Sequence, residues 1–115
     1  MTQTMERDSV AAAADRLQIT VTATPDGSAH VTVSDEIDLH NAGDVRDALL
    51  AALTGSRGTV TVDFRQVTFC DCAGLNALLT AANTARKAHR SLRLTAVSRT
   101  AKRLFDLTGT RPYLT

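Results

Sequence analysis

The stretch Val60-Thr61-Val62-Asp63-Phe64-Arg65-Gln66-Val67-Thr68-Phe69-Cys70-Asp71-Cys72-Ala73-Gly74-Leu75-Asn76-Ala77-Leu78-Leu79 decides how this chain folds. Its first part alternates, with apolar Val60, Val62 and Phe64 set between polar Thr59, Thr61 and Asp63. A period of two, rich in β-branched and aromatic residues, is that of a strand. Gly58 precedes the run and Arg65-Gln66 follow it, so a central strand is expected over Val60 to Phe64, with a loop continuing through Cys70. The second part changes period. Leu75, Leu78, Leu79 and Ala82 recur at helical spacing, and Asp71 stands just before them, where its carboxylate can accept from the exposed amides of Ala73 or Gly74. Arg86, Lys87 and Arg90 fall near the far end of that helix, where cations suit the negative pole of the dipole.

Outward from this unit the same two periods repeat. Downstream, Leu92, Leu94 and Ala96 read as a strand. Ser98 then caps a short helix through Ala101, Leu104, Phe105 and Leu107 to Gly109, and Arg111 to Thr115 are expected to be extended. Upstream, Leu17, Ile19 and Val21 alternate with Gln18, Thr20 and Thr22, a strand with one buried face. Pro25-Asp26-Gly27-Ser28 supplies a turn, and Val31 and Val33 resume the alternation, which makes a hairpin. Asn41 reads as a helix N-cap with Asp44 at the third helical position, and Ala42, Val45, Leu49 and Ala52 follow at helical spacing until Gly55. The order is β-β-α-β-α-β-α, an α/β domain with a small mixed sheet, because strand-helix-strand passages favour parallel crossovers. Residues 1 to 15 show no apolar stripe and are read as a tail or marginal helix, with the domain spanning 16 to 115.

At 115 residues and 43% hydrophobic content the chain suits a single domain. No apolar stretch approaches the roughly 18 residues of a membrane span. The N-terminus, with Glu6 and Asp8 before an alanine run, lacks the basic start of a secretory signal, so a cytoplasmic location is expected. The net charge of +1 divides unevenly: residues 1 to 58 hold four Arg against nine acids, and residues 59 to 115 hold nine Lys plus Arg against three. Aromatic content of 3% leaves few stacking platforms, so nucleic acid is not an expected partner, and neither is a membrane.

The quoted stretch resembles the signature of STAS domains and of the anti-sigma factor antagonists among them, in which a strand ends in Asp-Leu or Asp-Phe and a loop delivers Asp-Ser-Ser/Thr-Gly-Leu to a helix start. Glu36-Ile37-Asp38-Leu39 with its Ala-x-x-Val-Arg-x-Ala-Leu helix, and the closing Arg103-Leu104-Phe105-Asp106-Leu107-Thr108-Gly109, are similar to the family as well. The resemblance runs from Leu17 to Leu114. It implies a single STAS domain without catalytic activity, cofactor or metal, acting as a monomer or weak homodimer. Such a domain docks onto an anti-sigma factor of the serine-kinase type and so releases a sigma factor. In the family the first serine after the aspartate is phosphorylated by that partner, and a dianion in a contact surface abolishes docking through charge, desolvation and bulk. Here Asp71 matches the aspartate, Cys72 the serine, Ala73 the second hydroxyl position and Gly74 the glycine. Glu36 and Asp38, in the loop that in the family lies beside this turn, and Asn76 on the outer side of the helix, complete the expected contact surface.

A thiol is not a substrate for ordinary serine kinases. Cys72 therefore stands either for a surface kept permanently unphosphorylated, for a redox gate in which oxidation takes the role of phosphate, or for a decayed paralogue. The helix dipole favours its thiolate and Asp71 opposes it, short of a strong nucleophile. Cys70, closing the run Val67, Phe69, reads as a small buried hydrophobe. Cys-x-Cys supplies only two metal ligands, and His30, His40 and His89 fall on separate elements. A thiol enzyme would need a general base near Cys72, and nothing in the sequence places His40 there. A STAS subunit of a larger signalling complex is the remaining alternative.

Overall fold

The computed structural model describes residues 17–114. Four strands, β1 (Gln18–Ala23), β2 (Ala29–Ile37), β3 (Val60–Cys70) and β4 (Leu92–Val97), form one sheet in the order β1-β2-β3-β4. β1 and β2 are the expected antiparallel hairpin, turned at Gly27 with φ of 89°, a left-handed conformation that glycine adopts without a Cβ penalty. β2 with β3 and β3 with β4 are parallel, each passage carrying a helix: α1 (Ala42–Thr54) and α2 (Cys72–Lys87). α3 (Arg99–Thr108) follows β4. The mixed α/β architecture and its order are those read from the sequence, while the tail expected over residues 1 to 15 lies outside the described residues.

The core is the set of alternating apolar positions. Val31, Val33, Ile37, Val60, Val62, Val45, Leu49 and Leu78 are sealed from solvent. α1 and α2 pack on each other, and α3 seats Phe105 against Phe64 with ring centroids 6.5 Å apart. The short helix is bounded as expected: Ser98 Oγ accepts from the Ala101 amide at 3.1 Å, and Gly109 ends it with φ of 70°.

Five local readings are corrected. β3 does not stop at Phe64 but continues to Cys70, because β2 offers partners as far as Ile37, across from Cys70. Two register shifts along the β2–β3 pairing each give β3 one extra residue, the first between Asp63 and Gln66, across from Val33, and the second at Thr68, between Val67 and Phe69. The first falls at the polar Arg65-Gln66, which face solvent. β1 buries little: Leu17 and Ile19 are half-buried and Val21 is exposed, as an edge strand allows. Asn41 precedes α1 but its side chain caps nothing; it turns back into the preceding loop. Arg90 serves the end of α1 and the connection to β3 rather than α2, its guanidinium donating to the carbonyls of Leu53 at 2.9 Å and Gly58 at 2.8 Å. Beyond Gly109 the chain forms a 3-10 turn at Arg111–Tyr113 instead of an extended piece. That turn brings buried Leu114 alongside β4, where its carbonyl accepts from the Leu94 amide at 2.8 Å.

Candidate functional site

The parallel pairing of β2 with β3 determines where the site lies. Glu36 stands across from Phe69 and Ile37 across from Cys70, so both strands end together and their following segments emerge side by side. The Asp71 amide donates back to the Ile37 carbonyl at 3.3 Å, a last rung between them. Asp71 then leaves the strand in extended conformation, and one carboxylate oxygen accepts from the amides of Ala73 at 3.0 Å and Gly74 at 3.1 Å. An N-cap of this kind satisfies donors that no helical carbonyl can reach. Its effect on the site is to hold the first turn of α2 in one shape.

Cys72 is the first residue of α2 and is exposed. Cys70, two positions earlier, is buried, with its Sγ–H directed at the Asp71 carbonyl at 3.6 Å. Burial first, then the charges of Asp71 and Cys72, push the Cys70 thiol up to about 12. It is a packing residue, as read from the sequence, and the accessible sulfur is that of Cys72.

Gly74 is buried, and the close approach it permits is to the chain's own strands. A Cβ there would lie 2.7 Å from Cys70 Sγ and 2.7 Å from Ile37 Cγ2. Only a glycine lets α2 start so near the ends of β2 and β3. Of the other expected site residues, Glu36, Cys72 and Asn76 are exposed, and Asp38, Asp71 and Ala73 are half-buried. All belong to the paired strand ends and the segments that follow them.

Glu36 lies within β2 and not in the loop where the sequence reading put it, because the strand stays paired with β3 as far as Ile37, and the segment from Glu36 through Asp38 is itself pinned. Asn41, 4% exposed, accepts from the Asp38 amide at 2.9 Å and donates to the Glu36 carbonyl at 2.9 Å, while the Asp38 carboxylate accepts from the His40 amide at 2.9 Å. Asp35 adopts φ of 76° where this segment begins. Sequence reasoning assigned Asn41 to capping and so missed this role; an asparagine has both donor and acceptor, and the choice between helix amides and loop groups depends on how the loop closes. It also passed over Leu39, 76% exposed, and Arg46 and Thr80, which with Leu39, Ala73, Asn76 and Ala77 border a groove between α1 and α2. The signal for Leu39 was available: an apolar residue in the otherwise polar Asp38-Leu39-His40-Asn41.

Fold and site together define a small helix-on-sheet domain that presents a rigid, capped helix start and an acidic loop to solvent. The chain belongs to the STAS domain family: a family model described as Mlab, STAS domain matches residues 20–112. None of the curated proteins matches it in sequence. Among solved structures it is similar to an anti-sigma factor antagonist from Mycobacterium paratuberculosis, at 26% identity and a TM-score of 0.74, over 85% of this chain and 82% of that one. It also shares its fold with the anti-sigma factor antagonist SpoIIAA in unphosphorylated form, at 18% identity and a TM-score of 0.71, over 85% of this chain and 86% of that one. The Bacillus cell fate determinant SpoIIAA in phosphorylated form aligns at 19% identity and a TM-score of 0.64, over 85% of this chain and 89% of that one.

Proposed function

We propose that this chain is an anti-sigma factor antagonist: a cytoplasmic, non-enzymatic domain that docks onto an anti-sigma factor of the serine-kinase type and thereby frees a sigma factor. Docking uses the end of the domain that carries Glu36, Asp38, Asp71, Cys72, Ala73 and Asn76, with Gly74 beneath it. The observation that carries this reading is the exposed Cys72 at the first position of a helix whose start is clamped by Asp71. A contact surface is recognised best when its backbone is already fixed, since ordering it on binding would cost entropy.

Cys72 stands where the family resemblance puts the phosphorylatable serine, and SpoIIAA is known in both a phosphorylated and an unphosphorylated form. A kinase has no hydroxyl to modify at Cys72 or Ala73, so docking is constitutive with respect to ATP. A second reading, favoured by the exposure of the Cys72 sulfur, is a redox gate. Hydrogen peroxide would convert the thiol to a sulfenic acid with release of water, adding a polar oxygen at the place of the phosphate.

The test is binding of the full chain to purified kinase-type anti-sigma factors in ATP or ADP. Wild type is expected to bind equally in both nucleotides, as a complex of defined small stoichiometry. Cys72→Ser is expected to become phosphorylated and released in ATP, and Cys72→Asp to bind poorly. Loss of binding after peroxide, restored by reductant, selects the gate; unchanged binding selects the constitutive form. Failure of wild type to bind any such factor, or its elution within a large assembly that contains none, would sink the proposal.

A further inference from the structure

Polar residues alone do not account for the proposed docking end. The groove between α1 and α2 has a volume of about 370 Å³ and opens beside the first turn of α2, since Ala73 and Asn76 line it. Its floor is of small side chains such as Ala77, its far wall carries Thr80, and Leu39 stands at its lip. Leu39 is 76% exposed although the turn that bears it is pinned by Asn41 and Asp38. A leucine held in water by an ordered backbone gains nothing for the isolated fold, whereas a buried apolar contact at the centre of an interface dominates its affinity. The one charged residue lining the groove is Arg46, and it is already paired to Asp47 at 3.1 Å. Beside Leu39 the charges are negative, since Asp38 directly precedes it and Glu36 lies two positions further back near the end of β2.

We infer that this groove is a slot for one apolar side chain of the docked protein, packed against Leu39 and carried beside Lys or Arg residues that meet Glu36 and Asp38. The inference rests on the docking reading above and names the chemistry of the partner surface that fits: an apolar knob with a basic rim. Apolar insertion supplies the residence time, and the opposed charges speed encounter and set the partner's orientation.

The test takes the full chain and whichever purified kinase-type anti-sigma factor binds in the assay above, and measures Kd for three variants. Leu39→Ser removes the lip, and Thr80→Trp fills the slot from an exposed position. Leu107→Ser removes a leucine of matching exposure, 77%, on α3. The first two are expected to weaken binding by roughly tenfold or more, with the circular dichroism and melting curve of wild type retained, and Leu107→Ser to leave it unchanged. Rising salt should slow association. Binding of Leu39→Ser within about twofold of wild type, or equal weakening by Leu107→Ser, would overturn the slot while leaving the docking reading in place. Absence of wild-type binding across the whole panel removes both.

Discussion

Replacing Gly74 by alanine isolates the contact on which the position of the site depends. The added Cβ would sit 2.7 Å from both Cys70 Sγ and Ile37 Cγ2 and 3.3 Å from Ile37 Cβ. Comfortable separations are about 3.5 Å or more, so α2 or the strand ends must give by most of an ångström. Cys70 and Ile37 are both buried, so neither side chain can relieve the clash by turning out into solvent. Overpacking of this kind costs about 1–3 kcal/mol. The alanine recovers part of that by favouring the helix, up to about 1 kcal/mol in a helix interior and less in a first turn. A net loss of about 1–2 kcal/mol is expected, which for a domain near this size lowers Tm by roughly 4–16 °C. Thermal and urea unfolding followed by circular dichroism measure it. Combining Gly74→Ala with Cys70→Ala should cost less than the sum of the two single changes, because one of the two clashing atoms is gone. A Gly74→Ala protein as stable as wild type, or additive with Cys70→Ala, would refute the reasoning.

The two cysteines should behave oppositely. A thiol reagent at neutral pH is expected to modify Cys72 promptly and Cys70 only after denaturation, as mass spectrometry of the modified peptides would show. Because burial raises the folded Cys70 thiol to about 12, the unfolded chain gives up that proton first. Its contribution to stability is therefore complete below the ordinary thiol value of about 8.5 and declines as pH rises towards 12. Cys70→Ala should remove that alkaline slope in urea titrations. Asp71→Ala deletes the cap on the Ala73 and Gly74 amides and should cost about 0.5–2 kcal/mol. Faster amide exchange at Ala73 and Gly74 would accompany it and weaken partner binding, whereas Asp71→Asn should keep most of the stability. Asn41→Ala leaves the Asp38 amide and the Glu36 carbonyl without their partner and should cost about 1–3 kcal/mol. Loosened amide exchange confined to the loop between β2 and α1 is the expected signature, and unchanged exchange there would show that the side chain does not hold the loop.

What could be read without coordinates was everything set by residues a few positions apart. The period of two in Val60, Val62 and Phe64, the helical spacing of Leu75, Leu78 and Ala82, and the caps at Asp71, Ser98 and Gly109 are local matters of backbone geometry and nearby hydrogen bonds, and they determined the element order and the exposed position of Cys72. Tertiary structure decided the rest, because strand pairing and close packing join residues far apart in the chain. The polar Arg65-Gln66 looked like a strand end, yet pairing with β2 carries β3 on to Cys70. Asn41 looked like a cap, and the closed loop between β2 and α1 claimed its side chain instead. Gly74 could be any tolerated glycine until Ile37, thirty-seven positions earlier, was placed against it. The groove beside Leu39 exists only where α1 meets α2, and no periodicity within either helix announces what their packing leaves open.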